Sequence, residues 1–330
     1  MSSGFGKHFT ITTWGESHGE AIGAVVDGCP AGLALAIQDI QELLNRRRPG
    51  FSTFTSKRKE ADEVQILSGV FKGITTGTPI SLMIKNTDQR PQDYDDLASV
   101  FRPGHGDFTY HAKYGHRDFR GGGRASGRET AARVAAGAIA KKLLGVLGVD
   151  IDACVCAIGG TEDESKWAAL LEEVSVAGDS IGSAASCKIS GLKAGFGAPV
   201  FDKLTADLAK AMMSIGGATA IEFGTKRADI RRGSENNMLN SNGMLAGISH
   251  GGDINFTLTF KPPSSISLPQ QAITIDGKPV QITIKGRHDP IIAPRACAVI
   301  EAMAAIVVIN HIFGRMADRV EYVQNFYNQL

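Results

Sequence analysis

Arg128-Glu129-Thr130-Ala131-Ala132-Arg133-Val134-Ala135-Ala136-Gly137-Ala138-Ile139-Ala140-Lys141-Lys142-Leu143-Leu144-Gly145 is the stretch whose small side chains decide how this chain packs. Its spacing predicts a helix over 128–145, and a similar Ala-rich run predicts another over 294–312. Helices this rich in Ala and Gly can approach one another closely, so both are expected at the centre. An amphipathic helix is predicted at Gln38–Arg48 from Ile40, Leu43 and Leu44, and another over 201–215. A polar-faced helix closes the chain, with Val320, Val323 and Phe326 expected inward. Period-two alternation places strands around Phe9–Thr13, Ile80–Ile84 and Ile254–Phe260.

The two halves look alike. Ile22-Gly23 followed by Ala31-Gly32 echoes Ile181-Gly182 followed by Ala194-Gly195, and Gly69, Ile80 and Lys85 echo Gly247, Ile254 and Lys261. Arg128, Ala138 and Ile139 match Arg295, Ala305 and Ile306 at one constant offset. The blocks read as an internal duplication within a single domain over 1–330, with pseudo-repeats about 8–150 and 151–313. The bland alternative is one α+β domain with convergent Ala/Gly helices. Either way the fold class is α+β.

Composition excludes several classes. The 330 residues carry 35 Lys+Arg against 34 Asp+Glu, a net charge of +1, without the basic excess of a dedicated nucleic-acid binder. At 43% hydrophobic the chain is too apolar for disorder. Its uninterrupted apolar runs fall well short of the ~20 residues of a membrane span, so no membrane partner is expected. The N-terminus lacks a signal core, and five cysteines without CxxC spacing fit a reducing compartment, so the expectation is a cytoplasmic protein. The 39 glycines are the outlier, and point to tight turns or backbone that approaches a ligand.

Thr13-Trp14-Gly15-Glu16-Ser17-His18-Gly19 follows a predicted strand, and Arg102-Pro103-Gly104-His105-Gly106 repeats its histidine between glycines. Histidine titrates near neutral pH, so His18 and His105 are acid candidates. No second His or Cys stands at ligand spacing, and no metal site is expected. Gly121-Gly122-Gly123-Arg124-Ala125-Ser126-Gly127 opens the long helix, with Ser126 and Glu129 at capping-box spacing. A Gly-rich loop ahead of a helix N-terminus offers N–H groups to an anion, though no Walker lysine follows. Arg46-Arg47-Arg48 cannot all share one helical face, so at least one can turn inward toward an anionic ligand, where a guanidinium grips bidentately. Lys57-Arg58-Lys59 reads as a basic loop. Asp289, beside Arg287 and His288, should stay ionised and is a base candidate. Lys261-Pro262-Pro263-Ser264-Ser265 ends a strand with hydroxyls suited to a polar cofactor or to a turn. The sum is a site for a polyanionic small molecule, with the reaction still open.

In their order, Gly15–Gly19, Arg46–Gly50, Asn86–Arg90, Arg102–His105, Gly121–Thr130, Met213–Ile215, Lys261–Ile266 and Gly286–Pro290 closely resemble the chorismate synthase family. The resemblance spans nearly the whole chain. It implies a β-α-β sandwich with central helices between antiparallel sheets, usually assembled as a homotetramer. It implies a monofunctional carbon–oxygen lyase that eliminates phosphate, 1,4, from 5-enolpyruvylshikimate 3-phosphate to give chorismate. That is the last common step of aromatic amino-acid biosynthesis. The family uses reduced FMN with no net redox change. No fused reductase is visible, so a separate NAD(P)H flavin reductase is the expected source. By motif, His18 resembles the acid beside the departing phosphate and His105 the residue protonating reduced flavin. Asp289 resembles the aspartate that helps flavin N5 act as base, and Ser17 and Ser126 resemble serines of the flavin and proton network. Arg47, Arg48, Arg102 and Arg295 match substrate-anion ligands. Arg124, Ala125, Ser126, Gly216, Gly217, Ala246, Lys261, Pro262, Pro263, Ser264, Ser265 and Arg287 align with flavin-contacting stretches. Ala125, Gly127 and Ala246 depart from the commoner serine, alanine and glycine. Two other classes stand beside this one. One is a phosphometabolite or phosphoryl-transfer protein without flavin. The other is an RNA-binding module on Arg46–Arg48 and Lys57–Lys59, which the balanced charge and sparse aromatics oppose.

Overall fold

Alternating runs and small-residue helices divide the chain into layers. The computed structural model describes residues 3–48, 61–87, 94, 97–224, 228–238, 242–284 and 289–330. The first half contains strands β1 (Gly4–Phe5), β2 (Thr10–Trp14), β3 (Ala21–Asp27), β4 (Val64–Ile66), β5 (Val70–Phe71), β6 (Ile74–Thr75), β7 (Ile80–Lys85) and β8 (Val100–Phe101). The second contains β9 (Asp150–Ile158), β10 (Ser183–Ser190), β11 (Ala218–Phe223), β12 (Met244–Leu245), β13 (Ile248–Ser249), β14 (Ile254–Phe260), β15 (Gln270–Thr274) and β16 (Pro279–Ile282). The helices are α1 (Ile37–Arg47), α2 (Asp107–Tyr114), α3 (Thr130–Val146), α4 (Trp167–Val176), α5 (Leu204–Met213), α6 (Gly233–Met238), α7 (Ala293–Arg315) and α8 (Val320–Tyr327).

One sheet has the order β1-β2-β3-β7-β4 and the other β11-β14-β10-β9, with all pairs antiparallel. Both follow the same path: two adjacent strands, a helix (α1 or α5), an edge strand, a strand inserted beside the second, then the long helix α3 or α7. Side-chain alternation sends Ile22, Ala24, Val26, Ile80, Leu82 and Ile84 to the inner face of one sheet. Ala185, Cys187, Ile189, Ile254, Phe256 and Leu258 line the other. Each fully buried Ile or Leu contributes roughly 1.5–3 kcal/mol over exposure.

Between the sheets lie α3 and α7. A Cβ on Gly137 would stand 2.5 Å from Ala302 Cα and 2.6 Å from its carbonyl oxygen, so the two backbones touch where they cross. Helix α7 is long and apolar enough, by length and composition alone, to cross a membrane, although Glu301 interrupts its apolar run. Its most apolar window is instead 78% buried inside the sandwich. One carboxylate sits there: Glu301 is fully buried and accepts from Arg46 Nη1 and Nη2 (2.9 and 2.6 Å), Lys141 Nζ (2.6 Å) and the Ala153 amide (3.1 Å).

Three local expectations need correction. Ser126 does not box the long helix: its Oγ accepts from Arg128 N at 3.3 Å and starts only a 3₁₀ turn, Gly127–Glu129, before α3 begins at Thr130. The Glu129 carboxylate turns away to Arg133 and to Thr13 Oγ1. Helix α5 begins at Leu204, leaving Phe201 exposed. On α8, Val320, Val323 and Phe326 are 73%, 49% and 62% exposed, because α7 already fills the interior and α8 lies outside the packed layers. An amphipathic pattern reports that a face is apolar, not what covers it.

Candidate active site

The turn between β2 and β3 carries Ser17 and His18, both buried, with Ser17 Oγ 2.8 Å from His18 Nδ1. This contact fixes how the imidazole lies. The ring of Tyr94 meets that of His18 edge-on at 4.8 Å. Gly121 closes over the pair: with φ +63 it takes a backbone conformation costly for other residues, and a Cβ there would stand 2.6 Å from Ser17 Oγ.

The next residues of the same loop reach the second histidine's segment. A Cβ on Gly122 would lie 3.3 Å from Arg102 Nη2. Arg102 is buried and forks onto Asp107 through Nε and Nη2 (2.8 and 2.9 Å). Burial alone would raise the Asp107 carboxyl, but its hydrogen bonds with Arg102 and the Arg102 and Arg117 charges hold it below the ordinary carboxylate range. Three residues after Arg102, His105 Nε2 lies 3.0 Å from Ser265 Oγ. Lys261 Nζ donates to the Gly104 carbonyl (2.7 Å) and Ser264 Oγ (3.0 Å). The 102–105 and 261–265 segments, distant in sequence, are stitched together. Gly217 joins them, since its carbonyl accepts from Lys261 N at 2.9 Å, and among the described residues no atom beyond its chain neighbours lies within 4 Å of where a Gly216 side chain would start.

Behind His18 runs a buried charge network. Asp62, φ +48, lies between Arg47 Nη1 (2.7 Å) and Arg128 Nη1. Burial raises its carboxyl, and the two guanidiniums more than reverse that, so it stays below the ordinary range. Arg47 is 1% exposed and also donates to Thr130 Oγ1 (3.2 Å) and the Gly127 carbonyl (3.0 Å). Arg128 Nε donates to Asn86 Oδ1 at 2.9 Å, and Asn86 Nδ2 donates to the carbonyls of Gly19 (2.8 Å) and Glu16 (3.1 Å). Arg295 Nε donates to the Arg47 carbonyl, while its Nη1 pairs with Asp289 Oδ2 at 2.7 Å.

The expected residues thus separate into groups. Ser17, His18, Arg102, His105, Lys261, Ser264 and Ser265 flank one glycine loop. Arg47 and Arg102 grip carboxylates of the protein. Arg124 folds back onto Thr13 Oγ1 (2.6 Å) and the Gly15 carbonyl (3.1 Å). Ser126 Oγ is an acceptor for the 3₁₀ turn, and Arg48 ends α1. The structure does not bring Ala246 to this place. It sits, φ +53, in the β12–β13 turn beside the start of α5, whereas Gly216 and Lys261 follow the far ends of α5 and β14, roughly 15 Å along a ten-residue helix. Arg287, His288 and Lys57-Arg58-Lys59 lie outside the described residues. Reasoning from sequence missed Asp62, Asn86's side chain and Asp107 as the partners that hold these arginines. The spacing of Arg102 and Asp107 within one turn was the only local signal.

A cavity of about 710 Å³ runs along the loop, lined by Gly122, Gly123, Arg124 and Ala125 and reaching Glu16 and Gly106, the neighbours of Ser17 and His105. Its size suits a small molecule. Neither His18 nor His105 is itself among its walls.

Such a layered fold, with a glycine loop set against Ser17–His18 and Arg102 and with arginines ordered by carboxylates behind it, is of the kind that serves an enzyme of small molecules. The chain belongs to the chorismate synthase family, whose model matches residues 9–313. It is 46% identical to the chorismate synthase of Lachnospira eligens, covering 98% of this chain and 99% of that protein. It is 51% identical to that of Syntrophobacter fumaroxidans, covering 93% and 96%. A crystal structure of chorismate synthase superposes with TM-score 0.73 at 27% identity, covering 98% of both chains.

Proposed function

We propose that this chain carries out the family's reaction, the 1,4-elimination of phosphate from 5-enolpyruvylshikimate 3-phosphate, between His18 and His105. The observation that carries the assignment is the glycine loop itself, which touches the Ser17–His18 pair through Gly121 and Arg102 through Gly122. His18, held by Ser17, donates a proton to the departing phosphate. Arg102, Arg295 and Arg48 set a positive potential for the substrate's phosphate and carboxylates. Arg47 acts from behind, through Asp62 and the start of α3. Arginine suits this role because it remains protonated at any working pH.

The residues present fit a flavin phosphate and ribityl chain. Lys261, Ser264 and Ser265, joined to one another and to the 104–105 segment, would hold it with the ammonium and the hydroxyl oxygens. Reduced FMN, when bound there, would supply transient electron density and a base. His105, bonded to Ser265, holds a proton on that side, and Asp289 with Arg295 orders the neighbouring segment. Ser126 keeps the loop end in place. We assign delivery of reduced FMN to a separate reductase and the reaction to the cytoplasm; no disulfide joins the described cysteines, which supports a reducing compartment. We assign assembly as a homotetramer on membership of the family.

A positioned acid contributes about 10²–10⁴ in rate. His18→Ala and His105→Ala should each lower kcat by that order while the thermal unfolding midpoint stays near wild type. Wild-type turnover in both variants would overturn the assignment.

A further inference from the structure

The Ser17–His18 turn has its backbone carbonyls occupied by side chains from elsewhere. Arg124 Nη1 takes Gly15 O, and Asn86 Nδ2 takes both Glu16 O and Gly19 O. The Asn86 backbone N–H adds a bond to Glu20 O at 3.0 Å. Asn86 therefore bridges the two residues that bracket the histidine pair. Only one orientation of its side-chain amide satisfies all these partners, because Oδ1 must accept from Arg128 Nε while Nδ2 donates twice. Arg128 is in turn fixed by buried Asp62, and Asp62 by Arg47.

We propose that Asn86 is a positioning residue for His18, and that Arg128 and Asp62 hold Asn86 in the one orientation that clamps the turn. The assignment rests on the reading of His18 as the acid. An acid must meet the departing oxygen at hydrogen-bond distance, and misplacement by about 1 Å costs on the order of 10²-fold in rate. A two-point clamp on the flanking carbonyls restricts the turn more than the Ser17 hydrogen bond alone, since that bond moves with the turn.

Two substitutions separate the clamp from general packing. Asn86→Asp is nearly isosteric and keeps an acceptor for Arg128. It loses both donors, however, and sets a carboxylate oxygen against the Glu16 and Gly19 carbonyls. Asn86→Ala removes the contacts without adding charge. With reduced FMN and 5-enolpyruvylshikimate 3-phosphate under anaerobic conditions, each should lower kcat by about 10²-fold while KM changes by less than about threefold. In a His18→Ala background the same substitutions should change kcat by less than about threefold, because the group they position is gone. Equal losses with and without His18, or wild-type kcat in both single variants, would overturn the proposal. Nitrogen NMR of the His18 ring tests it without turnover. The ring signals should be sharp in the wild-type protein and should broaden or shift in Asn86→Ala as the turn loosens; an unchanged spectrum would refute the clamp. If His18→Ala alone keeps wild-type kcat, the acid assignment fails, and the spectrum still decides whether Asn86 orders the turn.

Discussion

Replacing Gly137 by alanine tests the centre of the fold. The new Cβ would lie 2.5 Å from Ala302 Cα and 2.6 Å from Ala302 O, against an ordinary carbon contact of about 3.5–4.0 Å. The obstructing atoms are backbone, so no rotamer relieves the overlap and α3 and α7 must separate by about 1 Å at the crossing. A gap of that size forfeits a quarter to a half of each flanking dispersion contact, and overpacking of this kind costs about 1–3 kcal/mol or more. Alanine's better helix propensity returns about 1 kcal/mol. Taking the upper end of the overpacking range, the net expectation is a loss of about 2 kcal/mol. Gly145, in the same helix, has nothing among the described residues within 4 Å of its Cβ position beyond its own helix, so Gly145→Ala should be neutral or stabilising by up to about 1 kcal/mol. Equilibrium unfolding in urea at matched protein concentration reads both, as shifts in midpoint at constant slope. If Gly137→Ala matches wild type, or rises together with Gly145→Ala, the two helices do not cross in backbone contact and the layered account is wrong.

Glu301→Ala should cost about 3–5 kcal/mol, since it leaves Arg46, Lys141 and the Ala153 amide without their shared acceptor; denaturant unfolding checks this, and a loss under about 1 kcal/mol would count against it. Acid should destabilise the protein through Asp62 and Asp107. Both are held below the ordinary carboxylate pKa of about 3.9, so the unfolded chain binds their protons first as pH falls. Their contribution is fully present above about pH 5 and is lost as pH drops through the folded-state values, which urea midpoints taken from pH 7 downward will show. Asp62→Asn should flatten that slope, and stability that holds steady or rises below about pH 4 in the wild type would contradict the assigned pairs.

Much of this was legible in the residues. Helices α1, α3 and α7 and strands β2, β7 and β14 announce themselves by period, because each buries one face or all of itself against a neighbour. The glycine loop and both histidines are legible for a different reason: glycines in a row before a helix have few other uses. The holding groups are not. Asp62 stands between Glu60 and Glu63 with nothing in the sequence to single it out, its partners Arg47 and Arg128 lie elsewhere in the chain, and its left-handed backbone leaves no mark. Glu301 interrupts an apolar helix and could have been read as an exposed point, yet Arg46 and Lys141 reach it from α1 and α3. The capping spacing of Ser126 and Glu129 was present, but Arg133 and Thr13 competed for the glutamate and won. Motif order placed Ala246 with the flavin contacts, whereas the lengths of α5 and β14 set it apart. Whole-chain charge was the least informative quantity, because the +1 total conceals arginines gathered behind one turn.

The central claim is that residues around the glycine loop eliminate phosphate without consuming flavin. Its most direct measurement mixes the purified protein with chemically reduced FMN and 5-enolpyruvylshikimate 3-phosphate under anaerobic conditions, and follows chorismate, phosphate and flavin absorbance together. One chorismate and one phosphate should appear for each substrate consumed, with the flavin still reduced at the end. Phosphate without chorismate, flavin oxidised in step with product, or no product while the flavin stays reduced would each contradict the account.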